Sequence, residues 1–544
     1  MKLKHSLIQS TMLIITLLFS VSHAETSPQP PTKAPKHAST STADHSQFEI
    51  LKQEFKSGPE LTSACLTCHT KASHQVKQSL HWKWEYKHPQ TGQLLGKKHV
   101  INSFCGNVAS NEPRCTSCHV GYGWDDMKKE PPAEDNKVDC VVCHDTTGTY
   151  SKWPTNAGHP LYEPKVSDGV THMPPDLSKV AQSVGLPERE NCGSCHFFGG
   201  GADNIKHGDL STALLAPDKH TDVHMAADGL NFACTTCHIS TEHQIEGSRY
   251  AVNTHDDGKK MPGERRDVAT CESCHSNKPH PDKSLKHVKL NNHTEKVACQ
   301  TCHIPEFAKG GVATKMSWRW SEAGKLKDGK PYSEEGYTQG DGKHLHTYLS
   351  TKGTFEYGEN VVPHYAWFDG QVHYNLQSEK IDPSKVVEVN KINGSAADPD
   401  SRIWPFKRMS GSQAYDKVNN TLVLSNVWGP TTDTAFWTNF DWAKAIQAGM
   451  DSIDAEYSGE YGFIDTYMYW PITHMVAPKD EALGCADCHS ADGRLAGIKG
   501  VYMPGQSNNA TLDKLGILAV ILTLLGVLGH GLIRVFLSKK GKQS

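Results

Sequence analysis

Eight short stretches of the chain carry one arrangement: two cysteines two residues apart, followed at once by a histidine. They are Cys65/Cys68/His69, Cys115/Cys118/His119, Cys140/Cys143/His144 and Cys192/Cys195/His196. Further along come Cys234/Cys237/His238, Cys271/Cys274/His275, Cys299/Cys302/His303 and Cys485/Cys488/His489. Together they use all but one of the 17 cysteines. C-x-x-C-H is the attachment sequence of c-type haem: each thiol adds to the porphyrin edge as a thioether, and the histidine falls beneath the ring to bind iron. Structural zinc does not require a histidine directly after every second cysteine. A disulfide framework leaves the histidines unexplained. The expected cofactor is therefore eight covalently bound haem c groups.

A haem with a histidine on each face carries electrons but binds no substrate, so an enzyme needs one haem whose sixth ligand is weak or missing. Two features bear on this. After the fourth motif runs CGSCHFFGGGADNIKHGDL, where three glycines precede Asp203, Lys206 and His207. Glycine lets backbone approach a ring edge closely, and a desolvated lysine can lose its proton and offer a lone pair to iron. By spacing alone, a surface lysine is the plainer reading. The second feature is Cys105, the one cysteine outside a motif. An odd cysteine in an exported protein is reactive or intermolecular, though a small buried thiol is as good a reading.

The elements that must position these groups leave weak traces. Only 37% of residues are hydrophobic, against about 45–50% apolar residues in ordinary globular proteins. The haems would supply the missing apolar surface, and the apo chain is expected to be largely unfolded. The expected fold class is a multihaem cytochrome c: mainly short helices and coil wrapped around eight covalent haems, with little β, plus one C-terminal transmembrane helix. Spacing predicts helices at 47–56, 176–184 and 442–450, and short strands at 386–389 and 421–427. Irregular motif intervals exclude a solenoid of identical repeats. The net charge of −4 gives no basic patch for nucleic acid.

Residues 1–24 read as a secretory signal peptide and 25–46 as a disordered linker rich in Pro, Ser, Thr and Lys. The haem domain spans 47–500: seven motifs in 65–303, an aromatic-rich part without motifs at 304–484, and the eighth at 485–489. Its aromatics, among them Trp318, Trp320, Trp404 and Trp437, are expected to pack against haem faces. Residues 501–514 form a linker. Residues 515–537 are long and apolar enough to span a bilayer, with His530 incidental. Lys539, Lys540 and Lys542 place the tail, 538–544, in the cytoplasm. The expected location is the inner membrane, with a single-pass anchor and the haem domain in the periplasm.

The chain resembles the octahaem tetrathionate reductase family of c-type cytochromes over roughly residues 47–500. The resemblance rests on the eight motifs and on FFGGGADNIKHGDL, INSFCGNVASNEPRCTSCHVGYGW, ACQTCHIP and PITHMVAPKDEALGCADCH. It implies seven haems with two histidines and a second haem with a lysine, here Lys206 opposite His119. Asp203 and Cys105 then stand beside that haem as catalytic residues. It also implies reduction of tetrathionate, and of nitrite or hydroxylamine, with electrons from a quinol-linked membrane or periplasmic donor. The alternatives are an electron conduit without a substrate site and an octahaem oxidase of hydroxylamine or hydrazine. Candidate distal ligands besides Lys206 are His81, His207, His224, His280, His293 and His474. The remaining partner is open among His159, His255, His346 and His373.

Overall fold

The computed structural model describes residues 41, 43–255, 269–281, 283–429, 432–503 and 510–540. The expected signal peptide, most of the 25–46 linker, part of the 501–514 linker and the last four residues of the tail lie outside the described residues.

The attachment motifs sit on single helical turns. Examples are Arg189–His196, Cys234–Cys237, Cys299–His303 and Cys485–Cys488. Residues three apart share a helix face, so such a turn presents both thiols to one side. The turn closes on the following histidine: the backbone N–H of His69 donates to Cys65 O at 2.9 Å, that of His275 to Cys271 O at 2.9 Å and that of His489 to Cys485 O at 2.8 Å. Helical turns with short connections dominate the N-terminal half, as expected from its Pro and Gly content. Of the predicted helices, 176–184 appears as Leu177–Gln182 and 442–450 as Trp442–Asp451. The stretch at 47–56 instead holds two 3-10 turns, His45–Gln47 and Glu49–Leu51.

The expectation of little β is corrected by the structure. Between residues 314 and 471 the chain builds a nine-stranded sheet. Its strands are β1 (Thr314–Arg319), β2 (Ser333–Thr338), β3 (His344–Leu349), β4 (Gly353–Gly358) and β5 (His364–Phe368). Then follow β6 (Val387–Glu388), β7 (Arg402–Asp416), β8 (Thr421–Leu422) and β9 (Tyr461–Pro471). The order is β6-β9-β7-β1-β4-β3-β2, with β5 and β8 also paired to β7. The spine is the antiparallel pair β7–β9, in register from Phe406↔Pro471 to Asp416↔Tyr461. β7 is buried along nearly its whole length. A strand covered on both faces shows no alternation of apolar and polar residues, so period-2 reading misses it.

The aromatics of this part pack mainly on one another. Trp318, Trp320, Phe355, Trp404, Phe406 and Trp470 join one buried cluster over the sheet. Trp318 stacks on Trp320 with centroids 5.0 Å apart, and Phe104 from the N-terminal half stacks on Trp470 at 5.5 Å. The sheet domain thus supplies a core from protein residues and docks the segment around Cys105 onto it. The final helix, Ala510–Lys540, includes a stretch Thr511–Ser538 with mean hydropathy 2.3 that is not buried by the rest of the chain. It is long and apolar enough to cross a membrane and fits a single-pass anchor.

Candidate functional site

Seven of the eight motif histidines face a second imidazole. His69 lies 6.2 Å from His45, His196 6.1 Å from His81 and His144 6.4 Å from His243, ring centre to ring centre. His238 lies 6.2 Å from His474, His275 6.0 Å from His224, His303 6.5 Å from His280 and His489 6.1 Å from His293. These gaps are too wide for hydrogen bonds and nearly constant. A metal bonded to both nitrogens at about 2 Å, plus a ring radius of about 1 Å on each side, requires a centroid spacing of about 6 Å.

The outer ring nitrogens support the same arrangement. Nδ1 of His144 meets Gly185 O at 2.8 Å, and Nδ1 of His243 meets Gln75 Oε1 at 2.9 Å. Nδ1 of His238 meets Glu246 O at 2.9 Å, and Nδ1 of His280 meets Asn291 Oδ1 at 3.2 Å. Nδ1 of His474 meets Asp209 Oδ2 at 3.1 Å. A second partner on Nδ1 fixes the ring and leaves Nε2 for the metal. The residues present therefore fit haem c at these positions.

The thiols also match. Among the described residues no cysteine forms a disulfide. A zinc reading finds one cluster among the described residues, Cys271, Glu272 and Cys299. Both thiols belong to attachment motifs, and Glu272 is held by Arg402 at 2.6 Å. Neighbouring motifs approach through their thiols: Cys65 lies against Cys140, Cys118 against Cys195, Cys192 against Cys234 and Cys271 against Cys299. Cys237 lies within electrostatic reach of Cys271, and Cys302 within reach of Cys485 and Cys488. Cys143 lies within reach of Cys192 as well, so the eight turns form one connected network.

The sixteen motif cysteines differ in how far the fold covers them. Cys68, Cys237, Cys274 and Cys485 are exposed, whereas the other motif cysteines are partly covered. Cys68 and Cys274 show the reason. In each of their turns the first thiol, Cys65 or Cys271, meets a neighbouring motif, and the second is left on the outer side. Among the described residues, the hydrogen bond found to the Cys68 sulfur is from the adjacent Thr67 hydroxyl, at 3.8 Å. Exposure does not remove Cys68 or Cys274 from the attachment set. A thioether needs access to the porphyrin edge, not burial by protein, so a haem held here would present that edge at the rim of the network.

His119 is the exception among the motif histidines. It is fully buried among Trp82, Trp84 and Trp124, at 4.9, 5.4 and 4.8 Å, and among the described residues no histidine ring stacks on it. Its Nε2 lies 2.8 Å from Trp82 O, and its buried Nδ1 has no hydrogen-bond partner among the described residues. Burial pushes its pKa down to about 3, so the ring is neutral. Lys206 lies within electrostatic reach of Cys118 and of His196. Burial, with smaller contributions from Arg249 and Lys97, holds its amine well below the ordinary lysine range. Cys105 lies within reach of Cys115. Lys206 and Cys105 are thus brought to the two thiols of the Cys115–Cys118 turn. Asp203 is not paired with Lys206: its carboxylate accepts from Thr212 N at 3.0 Å and from the Thr212 hydroxyl. Burial raises its pKa.

Sequence reasoning missed several residues. His45 was assigned to a linker, and His243 was not among the candidates. Both face motif histidines far from them in sequence, and no local signal marks them. His207, proposed as a distal ligand, stacks on no motif histidine among the described residues. The four open candidates also lie elsewhere: His159 stacks on Tyr122 at 5.1 Å, His346 pairs with Glu335 at 3.4 Å and His373 with Glu379 at 2.9 Å. His255 is influenced chiefly by burial and Arg402. Lys97 was also missed. Its Nζ lies 4.7 Å over the Trp84 ring, and it is within electrostatic reach of His119.

Known proteins bear on this geometry. The crystal structure of an octaheme cytochrome c from Shewanella oneidensis superposes with a TM-score of 0.71 at 41% identity, covering 84% of this chain and 97% of that one. The chain belongs to the octahaem cytochromes c. Two family models match parts of this octahaem cytochrome: "Cytochrome c bacterial" over residues 315–492 and "Cytochrome c554 and c-prime" over 64–145. An uncharacterized protein of Archaeoglobus fulgidus is 27% identical over 159 residues, 28% of this chain. The chain spans about half the length of that relative. The octahaem cytochrome is thus a redox protein carrying covalent haem c, with an apolar C-terminal helix and a large sheet domain.

Proposed function

We propose that the protein is a membrane-anchored, periplasm-facing reductase carrying eight haems, whose substrate site is the one attachment histidine without a facing imidazole, His119. That asymmetry is the observation that carries the reading: seven motif histidines are paired at 6.0–6.5 Å and His119 is not. The connected network of thiol-bearing turns supports electron delivery to it from a quinol-linked donor. The substrates are small inorganic oxidants: tetrathionate, nitrite or hydroxylamine.

Cys115, Cys118 and His119 would hold a haem c that supplies an iron with one exchangeable position. Burial holds the Lys206 amine well below the ordinary lysine range, which favours the form that would offer a lone pair to such an iron. Lys206 Nζ would take up a proton and pass it to an oxygen or sulfur leaving as an anion; a lysine with a lowered pKa suits this role. Asp203, anchored by Thr212, fixes the loop that carries Lys206. Cys105 offers a thiol to sulfur–sulfur bonds.

The experiment is Lys206→Ala beside Lys97→Ala, with reduction of tetrathionate, nitrite and hydroxylamine measured in both. The reading predicts a large loss of at least one activity in Lys206→Ala. Unchanged rates in Lys206→Ala would make Lys206 structural and favour a pure electron conduit.

A further inference from the structure

Beside Cys105 the protein gathers positive charge without a counter-charge. Lys315, 6% exposed, projects from β1 into a cage of rings, its Nζ 3.1 Å from the Phe355 centroid, 4.1 Å from Trp318 and 5.7 Å from Tyr357. Lys352 and Arg114 approach one ring, that of Trp437, at 4.7 and 5.6 Å. All three cations lie within electrostatic reach of Cys105. Among the described residues no carboxylate forms an ion pair with any of them. The Trp437 indole Nε1–H is buried and has no acceptor among the described residues. A small cavity opens beside Cys105, lined also by Gly106, Trp320, Gln413 and Trp442.

Lys315 is buried and Lys352 and Arg114 are half-buried; cations withdrawn from water are costly unless paired. Here aromatic faces offset part of the cost, and burial still presses both lysines below their ordinary range. An arriving anion removes that penalty by supplying the missing charge and an acceptor for the orphaned indole. We propose that Lys315, Lys352 and Arg114 form an oxyanion-binding site over Cys105, taking nitrite, sulfite or a sulfonate end of a polythionate. This rests on, and deepens, the reading of His119 as the substrate centre, because Cys105 adjoins Cys115. The other occupant to consider is a porphyrin propionate. Propionates lie on the ring edge opposite the thioether carbons, whereas this cluster sits on the Cys115 side.

In the haem-loaded protein Cys105 is the one thiol left free, so it reports on its own pocket. Alkylation of Cys105 would be compared for iodoacetate, an anion, and iodoacetamide, its neutral analogue. An electropositive cavity should raise the iodoacetate-to-iodoacetamide rate ratio about tenfold above that of free cysteine. Nitrite, sulfite or tetrathionate should slow the reaction. Lys352→Met, a half-buried position, should lose most of the preference, and Lys315→Arg should keep it. The proposal is overturned if the wild-type ratio matches free cysteine, as with cations neutralised by propionates. It is overturned equally if Lys352→Met leaves the ratio unchanged, or if Cys105 reacts with neither reagent. Repeating the ratio in Lys206→Ala separates the two ideas: the preference should persist there whatever happens to substrate reduction.

Discussion

Asp209 is 1% exposed, and one of its carboxylate oxygens accepts three hydrogen bonds: from Thr473 N at 2.8 Å, His474 N at 3.0 Å and His474 Nδ1 at 3.1 Å. His474 faces His238 at 6.2 Å, and His238 is oriented by the neutral carbonyl of Glu246. Of the Nδ1 hydrogen bonds found in the imidazole pairs among the described residues, this one alone is to a carboxylate; His224 Nδ1 lies farther from Asp222, at 4.0 Å. A metal midway between the rings would lie on the order of 7 Å from the buried charge. At an effective dielectric of about 20 the interaction is about 2 kcal/mol, which at 59 mV per tenfold for one electron is on the order of 100 mV. The negative charge favours ferric over ferrous iron. Asp209→Asn keeps the shape and an acceptor but removes the charge, so one haem should rise in potential by about that amount. Potentiometric titration followed by visible absorption should show one component moving and the others still. No shift, or a downward one, would refute the assignment of His474 and the electrostatic reasoning together.

Other consequences can be checked in the same way. His45→Ala and His243→Ala should each convert one low-spin haem to high spin, read by electron paramagnetic resonance; an unchanged spectrum would remove that residue from the ligand set. Arg189 is buried and donates to the carbonyls of Leu215, Met225 and Phe232 and to the Asn231 side chain. Arg189→Ala should cost at least about 3 kcal/mol in chemical denaturation, because several buried acceptors lose their donor. Full-length protein should fractionate with membranes and resist salt, whereas chain ending before residue 510 should be released; salt extraction of the full chain would count against the anchor.

The sequence disclosed the site unevenly, for physical reasons. Covalent attachment is local chemistry, so eight motifs announce eight positions. How far each thiol is covered is not local, which is why Cys68 and Cys274 read the same as Cys65 and Cys271 until the chain is folded. The facing ligands are tertiary too: His81 and His196, or His293 and His489, meet only in the folded chain. His45 looked like linker because composition speaks for a segment, while ligation depends on one side chain. The sheet was missed for the same kind of reason, since β7 is covered on both faces and its sequence does not alternate. Lys206 was legible through its glycine tract and the family resemblance. The cations around Cys105 were not, because Arg114, Lys315 and Lys352 come from three separate segments with no shared pattern.

The most direct measurement of the central claim is near-infrared magnetic circular dichroism of the oxidised full-length protein, which distinguishes axial ligand sets by their charge-transfer bands. The account predicts seven centres with two histidines and one with a histidine and an amine, the amine signature vanishing in Lys206→Ala. Eight centres with two histidines, unchanged in that variant, would contradict it.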